Sequence, residues 1–224
     1  MPIVCSGSTW IGGRKINQDS FVIRAFQPNV SSKEYSCSAS TDGIAIAAVF
    51  DGVSAVPENG GGRSSRAAAA ALRSLCETER EEELISQPAD DIAVTAALLA
   101  DDAVCALENR GSTAAIAIVK SNGEFSTINI GDSPVFALRD GVIAELSTRD
   151  TLAEMKRFEM LSPEVSEADE HILTKWLGMD GLCDCIEDYI CCGGCLQDGD
   201  RLILVSDGVS GELDGKTVAD TVMA

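Results

Sequence analysis

The sequence predicts an α+β fold of antiparallel sheets packed against helices, and three observations predict it. Short runs rich in β-branched residues recur along the chain, bounded by Gly, Asn and Asp. Later runs are joined by tight Asn-Gly and Asp-Gly turns, too short for the crossovers that parallel strands need. Alanine-rich helical stretches lie between the early and late runs. No internal repeat or flexible linker divides the chain. The 224 residues, 45% of them apolar, are therefore expected to form one domain over 1–224.

Taken in order, β-rich runs predict strands over 21–26 and 44–50, separated by a Ser/Thr-rich surface loop over 27–42. Helices follow over 64–84 and 90–108, the second capped by Asp90, with Ser86-Gln87-Pro88 breaking the pair. Strands over 113–120, 125–130 and 135–138 then form an antiparallel meander, residues 113–146. Its turns are Ser121-Asn122-Gly123-Glu124 and Arg139-Asp140-Gly141. Helices over 150–160 and 166–177 flank Ser162-Pro163, and a last clear strand covers 201–205.

The 36 acidic and 17 basic residues give a formal net charge of -19, which repels phosphate backbones and argues against a nucleic-acid partner. The same field attracts divalent cations, although a solvated acidic surface accounts for the bulk of it. The amino terminus carries no basic segment followed by an apolar run, and no stretch approaches the roughly 18 apolar residues of a membrane span. Nine cysteines, an odd number, do not resemble a secreted disulfide framework. A monomer in the reducing cytoplasm is expected, with no membrane association.

Three apolar strands run into acidic residues: Ile46-Ala47-Ala48-Val49-Phe50 into Asp51-Gly52, Ile128-Asn129-Ile130 into Gly131-Asp132, and Leu202-Ile203-Leu204-Val205-Ser206 into Asp207-Gly208. Singly, each is ordinary turn chemistry. Together they offer hard oxygen ligands on rigid supports, as Mg²⁺ or Mn²⁺ requires. Asn17-Gln18-Asp19 adds an acidic residue before the first clear strand. Arg14, otherwise a surface charge, could clamp a phosphate through its planar donors.

These motifs, in this order, resemble the PP2C family of metal-dependent serine/threonine protein phosphatases, especially its bacterial-type members. Gly13-Arg14-Lys15-Ile16-Asn17-Gln18-Asp19 is similar to the family's opening motif, and Val49-Phe50-Asp51-Gly52 to its Asp-Gly motif. Gly111-Ser112-Thr113-Ala114, Asn129-Ile130-Gly131-Asp132-Ser133, Leu173-Thr174-Lys175-Trp176-Leu177-Gly178 and the Ser206-Asp207-Gly208 segment continue the match. The resemblance implies a four-layer α-β-β-α sandwich of two antiparallel sheets flanked by helices. It also implies hydrolysis of phosphoserine and phosphothreonine in protein substrates by a water bridging two Mn²⁺ or Mg²⁺ ions. Asp51, the Gly52 carbonyl and Asp207 would hold the ions, Asp19 would stand in or beside their shell, and Asp132 would support a third. Arg14 would bind the phosphate oxygens, and Arg14 and Asp51 are the expected catalytic residues.

Two departures bear on activity. Val53 stands where eukaryotic members often carry a proton-donating His, leaving leaving-group protonation to water at the ions. The one histidine, His171, falls on a predicted helix in a packing or solvent-facing role. The sequence also stops at Met223-Ala224, before the family's Asp-Asn motif. One metal carboxylate and the last strand are thus expected to be missing, with Asp214 and Asp220 at the start and along the body of a final helix. A binding or regulatory module of the same fold, catalytically impaired, is therefore the alternative.

Cys183, Cys185, Cys191, Cys192 and Cys195 lack the paired knuckles of structural zinc sites and are expected to be buried or incidental thiols, with zinc or a redox switch as the other reading. Residues 148–170 match the family's variable flap, which could choose the substrate. Phe158 and Leu161 are expected there as helix core contacts.

Overall fold

The computed structural model describes residues 2–23, 34–158 and 165–223. Strands β1 (Ile3–Trp10), β2 (Ser20–Ile23), β3 (Glu34–Thr41) and β4 (Ile44–Phe50) precede helices α1 (Gly60–Thr78), α2 (Glu81–Ser86) and α3 (Ala89–Cys105). Then come β5 (Ala114–Lys120), β6 (Glu124–Ile130), β7 (Val135–Arg139), β8 (Val142–Glu145), α4 (Leu152–Phe158), β9 (Ile190–Cys195), β10 (Arg201–Leu204), α5 (Asp207–Ser210) and α6 (Gly215–Met223).

The central sheet has five strands in the order β2-β4-β5-β6-β9, and each neighbouring pair is antiparallel. Alternation along its strands sorts side chains by size. Ile44, Ile46 and Phe50 of β4, with Ile116 and Ile118 of β5 and Ile128 and Ile130 of β6, join Leu72 of α1 and Ile92 and Ala96 of α3 in the main core. Each fully buried Ile or Phe stabilises this layer by about 1.5–3 kcal/mol. The smaller Ala45, Ala47, Val49, Ala117 and Val119 point to the opposite face, where a second β layer lies. That layer is in two pieces, a β1-β3 ribbon and a β10-β7-β8 sheet. Helix α6 packs outside the latter against β8. The expected layer order, helices, sheet, sheet, helix, is present.

Several expectations are corrected. Residues 113–146 are not one meander: β5-β6 and β7-β8 are separate hairpins in different sheets, joined by a link that crosses between layers at residues 131–134. The 27–42 loop contains β3, which pairs with a strand unassigned from sequence, β1, from Ile3↔Thr41 to Trp10↔Glu34. Its Ser-rich sequence has little β signal, and a distant partner strand decides its state. Of the 21–26 run, β2 covers Ser20–Ile23, and residues 24–26 lie outside the described residues.

The 64–84 helix starts earlier and breaks at Glu79 and Arg80, both extended. Its acidic run repels itself along one helix but suits a new first turn, where Glu81, Glu82 and Glu83 face the positive end of the α2 dipole. Asp90 does not cap α3. Pro88 occupies that position, and the Ala89 N–H is accepted by Glu124 Oε1 at 2.7 Å from the neighbouring hairpin. The 166–177 helix is one 3₁₀ turn, Glu167–His171, after which the chain is extended and joins a backbone ladder. Phe158 is 90% exposed, not a core contact. Leu161 and Ser162-Pro163 lie outside the described residues.

Candidate functional site

The aspartates reach the site from different elements. At the end of β4, Asp51 is fixed through its backbone: its carbonyl accepts Ser112 Oγ at 2.9 Å and the Thr113 N–H at 2.8 Å, while its N–H donates to Thr113 Oγ1 at 3.1 Å. Ser112 and Thr113 are buried, so these bonds are not exchanged with water. Gly52 follows where two backbones meet. A Cβ there would stand 2.4 Å from the Gly61 carbonyl carbon and 2.7 Å from the Gln18 carbonyl oxygen. That approach accounts for Gly61 in the buried Gly60-Gly61-Gly62 run that opens α1, since a Cβ there would stand 2.7 Å from the Gly52 carbonyl carbon.

At the end of β6, Gly131 adopts φ 101°, a left-handed conformation that suits glycine, and Asp132 follows, 8% exposed. The hydroxyls of Ser133 and Thr113 are 2.6 Å apart, which ties the Asp132 turn to the Asp51 turn. Beyond β10, Asp207 is the first residue of α5, not part of a turn. Its neighbour Ser206 donates to Asp19 Oδ2 at 3.1 Å. Asp19 sits in the loop between β1 and β2, shaped by its N–H bond to Asn17 Oδ1 at 3.0 Å. Arg14 is exposed on the same loop and, among the described residues, makes no ion pair.

Arg14, Asp19, Asp51, Gly52, Asp132 and Asp207 all line one cleft of about 2570 Å³ between the β layers. The carboxyl groups of Asp19 and Asp207 both lie within hydrogen-bonding reach of Asp51. Burial, then the charges of Asp19 and Asp207, push the Asp51 carboxyl far above its ordinary range. Burial also raises Asp19, against the nearby Arg14 charge. Asp132 is pushed up to about 6 by burial and then by Asp207, with Arg149 and His171 opposing. Like charges crowded at one end of the cleft, Asp132 buried, Asp19 and Asp51 half-buried and Asp207 exposed, offer all-oxygen donors that fit a hard divalent cation. Among the described residues these side chains contact pairwise and do not surround a common point as a finished coordination shell.

Thr113, Ser133 and Ser206 stand inside the motifs, but nothing in the sequence shows that their buried hydroxyls hold the aspartates in place. Nor does the sequence show a polar strip at the cleft wall: Ser54 Oγ donates to Gln18 Oε1 at 3.1 Å, and Gln18 Nε2 to Asn59 Oδ1 at 3.1 Å. Glu58 and Asn59 there hold positive φ of 55° and 57°. His171 ends the 3₁₀ turn, exposed on the cleft rim. The cysteines of 183–195 are spread over a 3₁₀ segment, Leu182–Tyr189, and β9. They are half-buried or exposed, not buried in the core. Burial pushes the Cys191 thiol up to about 12, which leaves it protonated and a poor nucleophile at neutral pH.

The Protein phosphatase 2C family model matches residues 34–224, and the chain belongs to that family. No curated protein sequence matches it. Among solved structures, the serine/threonine phosphatase PstP of Mycobacterium tuberculosis superposes with a TM-score of 0.69 at 19% identity, over 99% of this chain and 85% of that one. The S. agalactiae serine/threonine phosphatase gives 0.73 at 16% identity, over 100% and 87%. The PstP catalytic domain in complex with 2 manganese ions gives 0.69 at 19% identity, over 100% and 85%. The family match begins after Arg14 and Asp19, whereas these fold matches extend over 99% or more of the chain. Among the described residues no helix is long and apolar enough to cross a membrane.

Proposed function

We propose that this chain hydrolyses phosphoserine and phosphothreonine in protein substrates with the aid of Mn²⁺ or Mg²⁺. The observation that carries the reading is the convergence of Arg14 and Asp19 from one loop with Asp51, Asp132 and Asp207 from three other chain segments on one cleft. Asp51, the Gly52 carbonyl and Asp207 would hold two divalent ions with Asp19 beside them, and Asp132 would support a third. Bound there, the ions supply Lewis-acid charge that polarises a phosphate ester and lowers the pKa of water. Arg14 binds the phosphoryl oxygens through paired N–H donors, and its exposure leaves it available to do so. The buried Ser112 and Thr113 hydroxyls keep the Asp51 backbone fixed, so little reorganisation accompanies reaction. Nine cysteines, an odd number, suit a reducing cytoplasm.

The test is release of phosphate from an aryl phosphate and a phosphothreonine peptide, with Mn²⁺ and with chelator. Hydrolysis should need the cation and fall at least about 100-fold in Asp51→Asn. Activity that survives chelation, or is unchanged in Asp51→Asn, would sink the proposal. A protein that binds phosphopeptide without turnover would point to the regulatory module.

A further inference from the structure

We infer that Asp150 is a positioning residue that holds the Gly131-Asp132 turn in place, an inference that rests on the cation-dependent reading above. Asp132 needs such support because β6 ends at Ile130 and β7 begins at Val135 in another sheet, so the intervening residues bridge two layers. On the far side, Asn129 Nδ2 donates to the Ser133 carbonyl. On the near side, both polar backbone groups of Gly131 end on one residue. Its N–H donates to Asp150 Oδ2 at 2.9 Å, and its carbonyl accepts the Asp150 N–H at 2.9 Å.

Asp150 is itself anchored. Its carbonyl accepts the Thr174 N–H at 2.8 Å, flanked by a Leu152 N–H to Ile172 carbonyl bond at 2.8 Å and a Thr151↔Leu173 bridge. The same extended segment continues to Leu177, whose N–H meets the Ser112 carbonyl at 2.7 Å, and Ser112 in turn bridges Gly52. Residues 172–177 thus buttress both carboxylate turns, Gly52 through Ser112 and Gly131 through Asp150. The segment also carries Ile172, Leu173 and Trp176 into the cleft wall. Arg149, next in sequence, is engaged with Glu145 at 2.9 Å and does not share this role.

The test compares Asp150→Ala with Asp150→Asn in the full chain, since Asn keeps a side-chain oxygen able to accept the Gly131 N–H. In metal-free protein, Asp150→Ala should speed solvent exchange of the Gly131 amide about 10-fold or more, and Asp150→Asn should stay near wild type. The Mn²⁺ concentration for half-maximal hydrolysis should rise about 10-fold in Asp150→Ala, with kcat changed far less. Adding Asp150→Ala to Asp132→Asn should have little further effect on that requirement. If Asp150→Ala does not fold, Asp150→Ser, with its shorter reach, takes its place and should show the same two changes. Unchanged Gly131 exchange in the Ala or Ser variant, an Asn variant as damaged as the Ala, or effects that simply add in the double variant overturn the inference. Should wild type show no cation-dependent hydrolysis, the reading above fails. The exchange result and Mn²⁺ titration by electron paramagnetic resonance then still decide whether Asp150 positions Asp132.

Discussion

Gly52 carries a demand that charge and hydrophobicity do not express. A methyl group at that position meets backbone atoms of Gly61 and Gln18, and neither can swing aside as a side chain would. Gly52→Ala should therefore lower unfolding free energy by about 1–3 kcal/mol, measured by urea titration. An unchanged midpoint would mean that the Asp51 turn is softer than its packing implies. Arg14 is the opposite case, since its exposed side chain makes no ion pair among the described residues and its value lies in geometry. Arg14→Ala should raise KM for a phosphopeptide about 10-fold, and Arg14→Lys should recover only part of that, because an ammonium cannot make the paired contact. Full recovery by Lys would reduce the role of Arg14 to charge alone. Both positions were legible as motif residues, while the reason for Gly52 required seeing α1 arrive against it.

At the scale of elements, the turn Glu167–His171 is closed by a capping box in which Asp169 accepts from the Ser166 N–H at 2.7 Å and its hydroxyl at 2.8 Å. Lys156 Nζ of α4 adds a bond at 2.8 Å. These donors, the Lys156 ammonium foremost, lower the Asp169 carboxyl to about 2. Because the folded value is depressed, the stabilisation is present above the unfolded value near about 3.9 and is lost as pH falls through the folded one. The difference in unfolding free energy between wild type and Asp169→Asn should shrink as pH is lowered from 5 toward 2. A difference independent of pH would show that the carboxylate charge is not what holds the turn. The helix expected over 166–177 stops after His171 because the second half of that segment gives its amides to the ladder with residues 150–152 and Ser112.

For the whole molecule, a formal charge of -19 and a cleft lined with carboxylates make cation binding and stability one problem. Under the proposed function, Mn²⁺ binds the folded chain far better than the unfolded one, and at about 100 times its Kd one site adds about 2.7 kcal/mol. The thermal midpoint should rise with Mn²⁺, and less so in Asp51→Asn. Sodium chloride at matched ionic strength should not reproduce the rise. If it does, the gain is screening of surface charge and not occupation of a site.

The α+β class, most strands of the central sheet and the aspartates that follow strands are legible in the residues alone. Those features depend on local chemistry: β-branched runs, alternation, and acidic residues placed where strands stop. That the β5-β6 and β7-β8 hairpins belong to different layers, that β3 has a partner in β1, and that the acidic run splits α1 from α2 is visible in the folded chain and not before. There too Asp150 and residues 172–177 gather the carboxylate turns. The reason is that strand pairing and buttressing are set by backbone partners dozens of residues away, and a one-dimensional pattern of side chains carries almost no record of which edge its amides will meet.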